Sequence, residues 1–314
     1  MQIVVLAAGR GTRLRPVTEH RSKAMAPVLG RPLVERALAP WVDHGLTDAI
    51  FVVGPDDEEI RAVFCPGNSL GIAVQFVVQE ERRGMAHALC VAAPLLRGDF
   101  CLTACDSLVA ADHTAELLAA HEDGTGVLSL MDVPEELVSR SAAVELDGEF
   151  IRRIVEKPNR GDAPSNTVSL PHYVLPRRFL DLLPDLEPSE RGEIELQDGI
   201  QRLIDDGCRV VGVRTSSRFQ VSNPDDLLRL NLEELAKGEE AVIVHSSEVA
   251  EDSDFIGRVR IDRGVVVGRR CVIGPNVYLE RGCVVGDGAV VKDSVILSGA
   301  VVAEGQRVRG ELLC

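Results

Sequence analysis

Short apolar runs alternate with segments of helical spacing through the first part of the chain. Ile3-Val4-Val5-Leu6 reads as a buried strand, and Pro32 to His44 places Leu33, Ala37, Leu38 and Trp41 at helical spacing before stopping at Gly45. Ala49 to Gly54 predicts a second strand, Asp56 to Phe64 a short helix, and Ala73 to Val78 a third strand. A turn from Gln79 to His87 leads into a helix reaching Leu96, and Phe100 to Cys105 is a strand ending at Asp106. This alternation with short turns predicts an α/β, Rossmann-like, mainly parallel sheet with helices on both faces. Ligands of such sheets lie beyond the carboxyl ends of the strands. The stretch after Leu6, the Gln79–His87 turn and Asp106 all fall at that edge.

The pattern then loosens. Gly126–Asp132 and Thr167–Leu175 are strands, and Ala142–Leu146 with Phe150–Val155 form a hairpin around Asp147-Gly148. Arg177–Leu183 and Ile194–Asp206 are helices, Arg209–Arg214 and Phe219–Val221 short strands, and Asn223 caps a helix running to about Lys237. From Ile261 the period changes. Val267, Ile273, Leu279, Val285, Val291 and Leu297 follow it at every sixth position, and Val265, Cys271, Val277, Cys283, Ala289, Val295 and Val301 form a second series. Period six with two inward positions predicts a left-handed parallel β-helix of roughly three coils between about 255 and 308. The expected organisation is a domain over 1–237, a linker over 238–254 and the β-helix over 255–314.

Composition narrows the function. The 314 residues carry a formal net charge of -15, which disfavours nucleic-acid binding. Hydrophobic content of 45% with 4% aromatic residues describes a core of Val, Leu, Ile and Ala. No apolar run approaches the ~20 residues of a membrane span, and Met1-Gln2 enters a core strand without a leader pattern. The 8 cysteines are scattered, with neither a Cys-x-x-Cys pair nor zinc spacing, so reduced thiols in a cytoplasmic protein are expected.

Against that acidic background, Leu6 to Lys23 holds Arg10, Arg13, Arg15, Arg21 and Lys23 beside a single acid, Glu19. Glycines next to cations at the end of a strand suit a polyphosphate, because bare backbone N–H groups approach phosphate oxygens closely. The stretch lacks the Walker spacing, and Leu14 stands where a dinucleotide fingerprint needs its third glycine. Leu6-Ala7-Ala8-Gly9-Arg10-Gly11-Thr12-Arg13-Leu14, then Pro16, Thr18, Lys23 and Pro27-Val28, resembles instead the signature of the sugar-phosphate nucleotidyltransferases (NDP-sugar pyrophosphorylases).

The resemblance implies an Mg²⁺-dependent joining of an NTP to a sugar 1-phosphate or similar small phosphorylated acceptor, with release of pyrophosphate. Leu6, Ala8, Gly9, Gly11 and Thr12 would then receive the nucleotide, while Arg13 and Lys23 act on its phosphates. Gln79 and Gly84 resemble the family's turn for reading a pyrimidine base, with Met85 in place of the usual threonine. Asp106 matches the metal-holding aspartate, and Glu156-Lys157-Pro158 matches the motif that takes sugar hydroxyls and phosphate. Asn166 belongs to the same acceptor set, and Glu193 to Asp198 resembles a further family segment.

The departures fall on the acceptor side. Ala142 and Pro171 replace family glycines, and Gln220 stands at the second metal carboxylate. Asn223 is either the replacement ligand or only a helix cap. The altered positions make an unusual sugar phosphate, cyclitol or phosphonate a conceivable acceptor. They also motivate an alternative, a sensing subunit that has lost catalysis, although the intact Gly9–Arg13, Lys23 and Asp106 set argues against it. A second, acyl-transferring site on the β-helix would commonly use a histidine, and none follows His245. Packing of the β-helix against a second copy, giving a homo-oligomer, is the expected use of the tail.

Overall fold

The computed structural model describes residues 1–159, 161–238, 241–246 and 248–314. They fall into two compact units. Met1–Arg10 with Val34–Phe219 make the first, and Gly11–Leu33 with Gln220–Cys314 the second.

The first unit is built on a nine-stranded sheet. Its strands are β1 (Gln2–Leu6), β2 (Asp48–Val53), β3 (Ala73–Val78), β4 (Phe100–Ala104), β5 (Gly126–Asp132), β6 (Ala142–Asp147), β7 (Phe150–Glu156), β8 (Thr167–Leu175) and β9 (Val210–Arg214). They lie in the order β3-β2-β1-β4-β8-β5-β9-β7-β6. The run β3-β2-β1-β4 is parallel throughout. Successive residues Ile3, Val4 and Val5 are all fully buried although they point to opposite faces, so both faces of the sheet are covered. Beyond β4 the sheet is mixed. β8 runs antiparallel to β4 and β5, β9 parallel to β5, and the β6–β7 hairpin antiparallel at the far edge. Parallel character is thus confined to the first half and to the β5–β9 pair, because a hairpin cannot supply a crossover.

Helices α1 (Leu33–Asp43), α2 (Glu58–Val63), α3 (Met85–Ala92), α4 (Ala111–Ala120), α5 (Glu135–Val138), α6 (Phe179–Leu182) and α7 (Leu196–Asp205) connect these strands. Ala86, Leu89 and Ala92 of α3 share a core with Leu196, Ile200 and Leu203 of α7 and with Val4, Ile50 and Leu102 of the strands. Helix α4 is absent from the sequence reading, since Ala111 to Ala120 offers few large apolar residues to mark a face.

Pro171 sits at a register shift between Leu170 and Tyr173 in the β8–β5 ladder, a bulge that tolerates a residue without an N–H. The bulge accompanies a fully buried His172. The imidazole stacks on Trp41 at 4.2 Å, Nδ1 meets Thr103 Oγ1 at 3.3 Å, and Nε2 meets Thr114 Oγ1 at 2.9 Å. Burial drives its pKa down to about 3, so it is a neutral core residue.

In the second unit the described residues of the tail form three parallel ladders of five, four and four strands, the faces of the left-handed β-helix. They make four full coils and the start of a fifth, more than the rough three expected. The first coil begins inside 238–254, where a linker was expected. Val242–Val244 pairs with Val259–Ile261, and Glu248–Val249 with Val266–Val267. Residues 239, 240 and 247 of that stretch lie outside the described ones.

The hexad also slips once. Val259 pairs with Val277, but Val277 pairs with Ser294 and Val285 with Val302, one residue short of a full coil. A corner at Lys292-Asp293 is therefore a residue shorter, with Asp293 at φ 48°. Past it the inward residues are Ile296, Ala300 and Val302, whereas Val301, expected inside, is 65% exposed.

Helix α8 (Pro224–Lys237) packs on the coil strands Val277–Leu279 and Ser294–Ile296. That packing accounts for the full burial of Tyr278 and Val295, which point out of the β-helix interior. No helix among the described residues is long and apolar enough to cross a membrane.

Candidate active site

In the first unit Leu6, Ala8, Gly9, Gln79 and Gly84 of the expected nucleotide residues lie at the carboxyl edge of the parallel strands. The chain leaves β1 at Leu6, whose carbonyl accepts from the Cys105 amide at 3.3 Å, and the next amide, Ala7, donates to Val52 at 2.9 Å. Both bonds extend the sheet by one rung and aim Ala8 and Gly9 between the ends of β2 and β4. A Cβ on Gly9 would meet no other protein atom within 4 Å, so packing does not demand this glycine. Arg82 reaches across from the turn after β3 and donates from Nε to the Ala8 carbonyl at 2.5 Å.

Gln79 follows β3 directly and is 4% exposed. Its Nε2 contacts the Gly84 carbonyl at 3.1 Å and His87 Nδ1 at 3.0 Å. Gly84 has φ 105° and ψ 176°, a region essentially reserved for glycine. A Cβ there would lie 2.5 Å from the Ile194 carbonyl oxygen and 2.8 Å from its nitrogen. The turn is zipped to that backbone, with the Ile194 amide donating to Arg83 at 2.7 Å and Ala86 donating to Ile194 at 3.2 Å. The sequence marked Gly84 by motif; the close backbone approach is its physical reason.

Asp106 stands just past β4. Beside it is Arg218, a residue the sequence reading did not single out. Arg218 donates from Nε to Ser107 Oγ at 3.2 Å. Burial lowers its pKa, while the Asp106 carboxylate and the Tyr173 phenol oppose that. No local motif marks an arginine at this place, and only the fold pairs it with Asp106.

A second cluster surrounds Glu156 at the end of β7. Glu156 pairs in the ladder with Ala142, and Ala142 pairs on its other side with Ser169. The Ser169 and Tyr173 hydroxyls are 2.7 Å apart. Burial pushes the Glu156 carboxyl above the usual range, Lys157 pulls it back, and Glu195 adds to the rise. Lys157 Nζ lies 3.2 Å from Glu156 Oε1 on a backbone at φ 44°. Glu195 is itself buried, held by Arg191 Nη2 at 2.8 Å and Ser189 Oγ at 3.0 Å. Asp198 is pushed up by burial and by Glu195.

Asn166 does not join this cluster. It is exposed, just ahead of β8, and lines a separate groove with Glu135, Ser139, Pro158 and Asn159. The polar side chain that β8 places beside Ala142 is Ser169.

The rest of the signature belongs to the second unit. Gly11 has φ +61°, and a Cβ there would lie 2.9 Å from Lys23 Cβ and 3.0 Å from Thr18 Cγ2. The chain from Gly11 therefore folds back under Lys23, and Thr18 Oγ1 donates to the Gly11 carbonyl at 2.8 Å. Thr12 and Arg13 lie in the short turn Thr12–Leu14, and Lys23 opens a similar turn, Lys23–Met25. Asn223 serves as a helix cap. Its Oδ1 accepts from the Asp226 amide at 3.0 Å, and the Asp226 carboxylate returns the contact to the Asn223 amide at 3.3 Å. Of the two roles open to Asn223 in the sequence, the structure shows the cap.

The chain matches known proteins over most of its length. A family model described as nucleotidyl transferase covers residues 2–237, and one described as the GMPPB C-terminal domain covers 255–313. A UTP–glucose-1-phosphate uridylyltransferase of Haloferax volcanii is 32% identical over 72% of this chain and 93% of its own length. A glucose-1-phosphate thymidylyltransferase of Streptomyces griseus is 30% identical over 100% of this chain and 92% of its own. The bifunctional protein GlmU of Methanococcus maripaludis is 31% identical over 85% of this chain, which spans 62% of that relative's length. In fold, a UDP-glucose pyrophosphorylase from Acinetobacter baumannii superposes with a TM-score of 0.68 at 23% identity, covering 76% of this chain and 95% of that one.

Proposed function

We propose that this chain, which belongs to the nucleotidyl transferase family, joins a nucleoside triphosphate to a sugar 1-phosphate or a similar small phosphorylated acceptor and releases pyrophosphate. The observation that carries the reading is the edge where the Ala8–Gly9 loop, the Gln79–Gly84 turn and Asp106 leave three strands of one four-stranded parallel run. The names of the relatives, a uridylyltransferase and a thymidylyltransferase of glucose 1-phosphate, support a pyrimidine nucleotide and a hexose phosphate.

In this reaction an acceptor phosphate oxygen attacks the α-phosphorus, and the bond from that phosphorus to the bridging oxygen of pyrophosphate breaks. Little covalent help is needed; alignment and charge neutralisation do most of the work. Gly9 suits close phosphate approach because the space a Cβ would take there is open. Leu6, Ala8, Gly11 and Thr12 complete the nucleotide loop by their places in the signature. Arg13 offsets charge on the departing pyrophosphate, and Lys23 meets the α-phosphate and the incoming oxygen. Gln79, with its Nε2 held by Gly84 and His87, turns its carbonyl oxygen to a base N–H.

Asp106 offers a hard oxygen donor, and one carboxylate with substrate phosphates is a sufficient protein contribution for Mg²⁺. The ion would neutralise triphosphate charge there. On the acceptor side, Glu156 accepts from sugar hydroxyls and Lys157 holds the acceptor phosphate. Ser169, paired beside Ala142, adds a hydroxyl to this side, and Asn166 stands at the head of the same strand. We place the reaction in the cytoplasm. We also propose that the β-helix carries contacts to a second copy, through the stacked exposed Val266, Val284 and Val301.

The test is pyrophosphate release from five nucleoside triphosphates against a panel of sugar, amino-sugar, cyclitol and phosphonate acceptors. One pair should react, and Asp106→Asn should lose at least a hundredfold in rate while keeping its fold. Silence across the whole panel would favour the sensing-subunit alternative, and near-normal turnover in Asp106→Asn would remove Asp106 from the reaction.

A further inference from the structure

The segment Gly11–Leu33 contains only short turns and a two-residue strand pair, Pro27–Val28 with Arg31–Pro32. Its internal hydrogen bonds close local turns, such as Met25 to Ser22 and Ala26 to Lys23, so the placement of the segment as a whole depends on anchors elsewhere. Two polar anchors within the second unit lie on α8 and the β-helix, beside the burial of Leu14, Val17, Ala24, Met25 and Val28.

The first is an ion pair. Arg21 Nη1 donates to Glu280 Oε1 at 2.9 Å and Nη2 to Oε2 at 3.2 Å, with side chains only 16% and 11% exposed. Glu280 is held before it meets the arginine. Its amide donates to Ile296 at 2.8 Å, and its Oε2 accepts from the Ser298 amide of the next coil at 2.8 Å. The carboxylate is thus fixed by two coils and presents a flat, two-oxygen face that matches a guanidinium.

The second anchor is the tip of the Pro27–Pro32 hairpin. The Leu29 amide donates to Asn231 Oδ1 at 2.9 Å, and Asn231 Nδ2 donates to the Pro27 carbonyl at 3.0 Å. Gly30, at φ +77°, comes so close to Asp262 that a Cβ would lie 2.9 Å from Oδ2. Asp262 is in turn held by Tyr278 Oη at 2.7 Å and Arg260 Nε at 3.0 Å. Lys23 lies in the chain between these two fastenings, two residues from Arg21, and its stem rests on Gly11.

We propose that Glu280 and Arg21 form a positioning clamp that fixes the Ser22–Ala26 turn, so that the β-helix sets the placement of Lys23. This rests on the reading of Lys23 given above. The clamp touches no reacting atom; it acts through the turn. Misplacing a substrate-positioning group by about 1 Å costs on the order of a hundredfold in rate. A defect in the clamp should therefore appear in kcat rather than in nucleotide KM.

The test uses the full-length chain. Glu280→Gln keeps an oxygen for the Ser298 amide but loses the charge and the two-oxygen face. Arg21→Lys keeps the charge, loses the fork, and leaves the β-helix untouched should Glu280→Gln fail to fold. Each variant is read for kcat, nucleotide KM and hydrogen exchange of the Ser22–Ala26 amides. Amide exchange at least tenfold faster in that turn, with kcat at least tenfold lower and KM within twofold, supports the clamp. Unchanged exchange, or faster exchange with kcat within twofold of wild type, overturns it. If the wild-type chain transfers no nucleotide to any acceptor, the functional reading fails, and the exchange measurement still decides whether Glu280 holds the turn.

Discussion

Replacing Gly84 by alanine tests the physical basis of the nucleotide turn. The new Cβ would sit 2.5 Å from the Ile194 carbonyl oxygen, an atom of the backbone that cannot rotate aside. The backbone conformation itself costs a non-glycine residue about 1–3 kcal/mol. Relief requires the turn to part from Ile194, which gives up the Ile194–Arg83 and Ala86–Ile194 hydrogen bonds. At about 0.5–1.5 kcal/mol each, these bring the total to about 2–6 kcal/mol. Gly45 is the control: it also has a positive φ, 83°, but a Cβ there meets nothing within 4 Å. Gly45→Ala should cost only about 1–2 kcal/mol. Urea unfolding of both variants gives the difference, and nucleotide titration of the folded Gly84→Ala protein should show weakened binding. A loss below about 1 kcal/mol for Gly84→Ala, with nucleotide affinity unchanged, would refute the close-approach argument.

Stability should also depend on pH through His172. Its folded pKa, about 3, lies below the unfolded value of 6.5, so the unfolded state binds the proton first as pH falls. Stability is full above about 6.5 and declines by about 1.4 kcal/mol per pH unit toward 3. His113, also lowered chiefly by burial, acts with the same sign. Urea midpoints in His172→Gln should show a shallower acid slope, and an unchanged slope would count against the buried neutral imidazole. The slipped hexad predicts that Val301→Lys, measured at a concentration where the chain is monomeric, stays within about 0.5 kcal/mol of wild type. Val302→Lys, which buries a charge, should cost about 3 kcal/mol or more; the reverse ranking in urea unfolding would restore the unbroken period.

The legible parts of this sequence were those fixed by local pattern. Ala73–Val78 and Thr167–Leu175 were marked at both ends, and Asn223 with Pro224 announced the last helix. Period six revealed the β-helix because an inward residue must recur at each face of the coil. Its phase was lost after Lys292, because a shortened corner shifts every later inward position by one while leaving composition unchanged. The first coil was missed because Val242 and Val244 are too sparse to establish the period. Asn166 came from the motif alone, whereas the pairing of Ser169 with Ala142 joins strands far apart in the chain and has no local signal. Arg218 beside Asp106 and Glu280 beneath Arg21 depend on contacts between residues far apart in the chain, which no local spacing encodes.

The account's central claim is attack at the α-phosphorus, and the position of a radiolabel tests it most directly. With an accepting sugar phosphate, label from an α-³²P nucleoside triphosphate should appear in the nucleotide–sugar product, and label from the γ-³²P compound in pyrophosphate. Lys23→Ala should abolish both. Transfer of γ-label to the acceptor, or release of inorganic phosphate in place of pyrophosphate, would contradict the account.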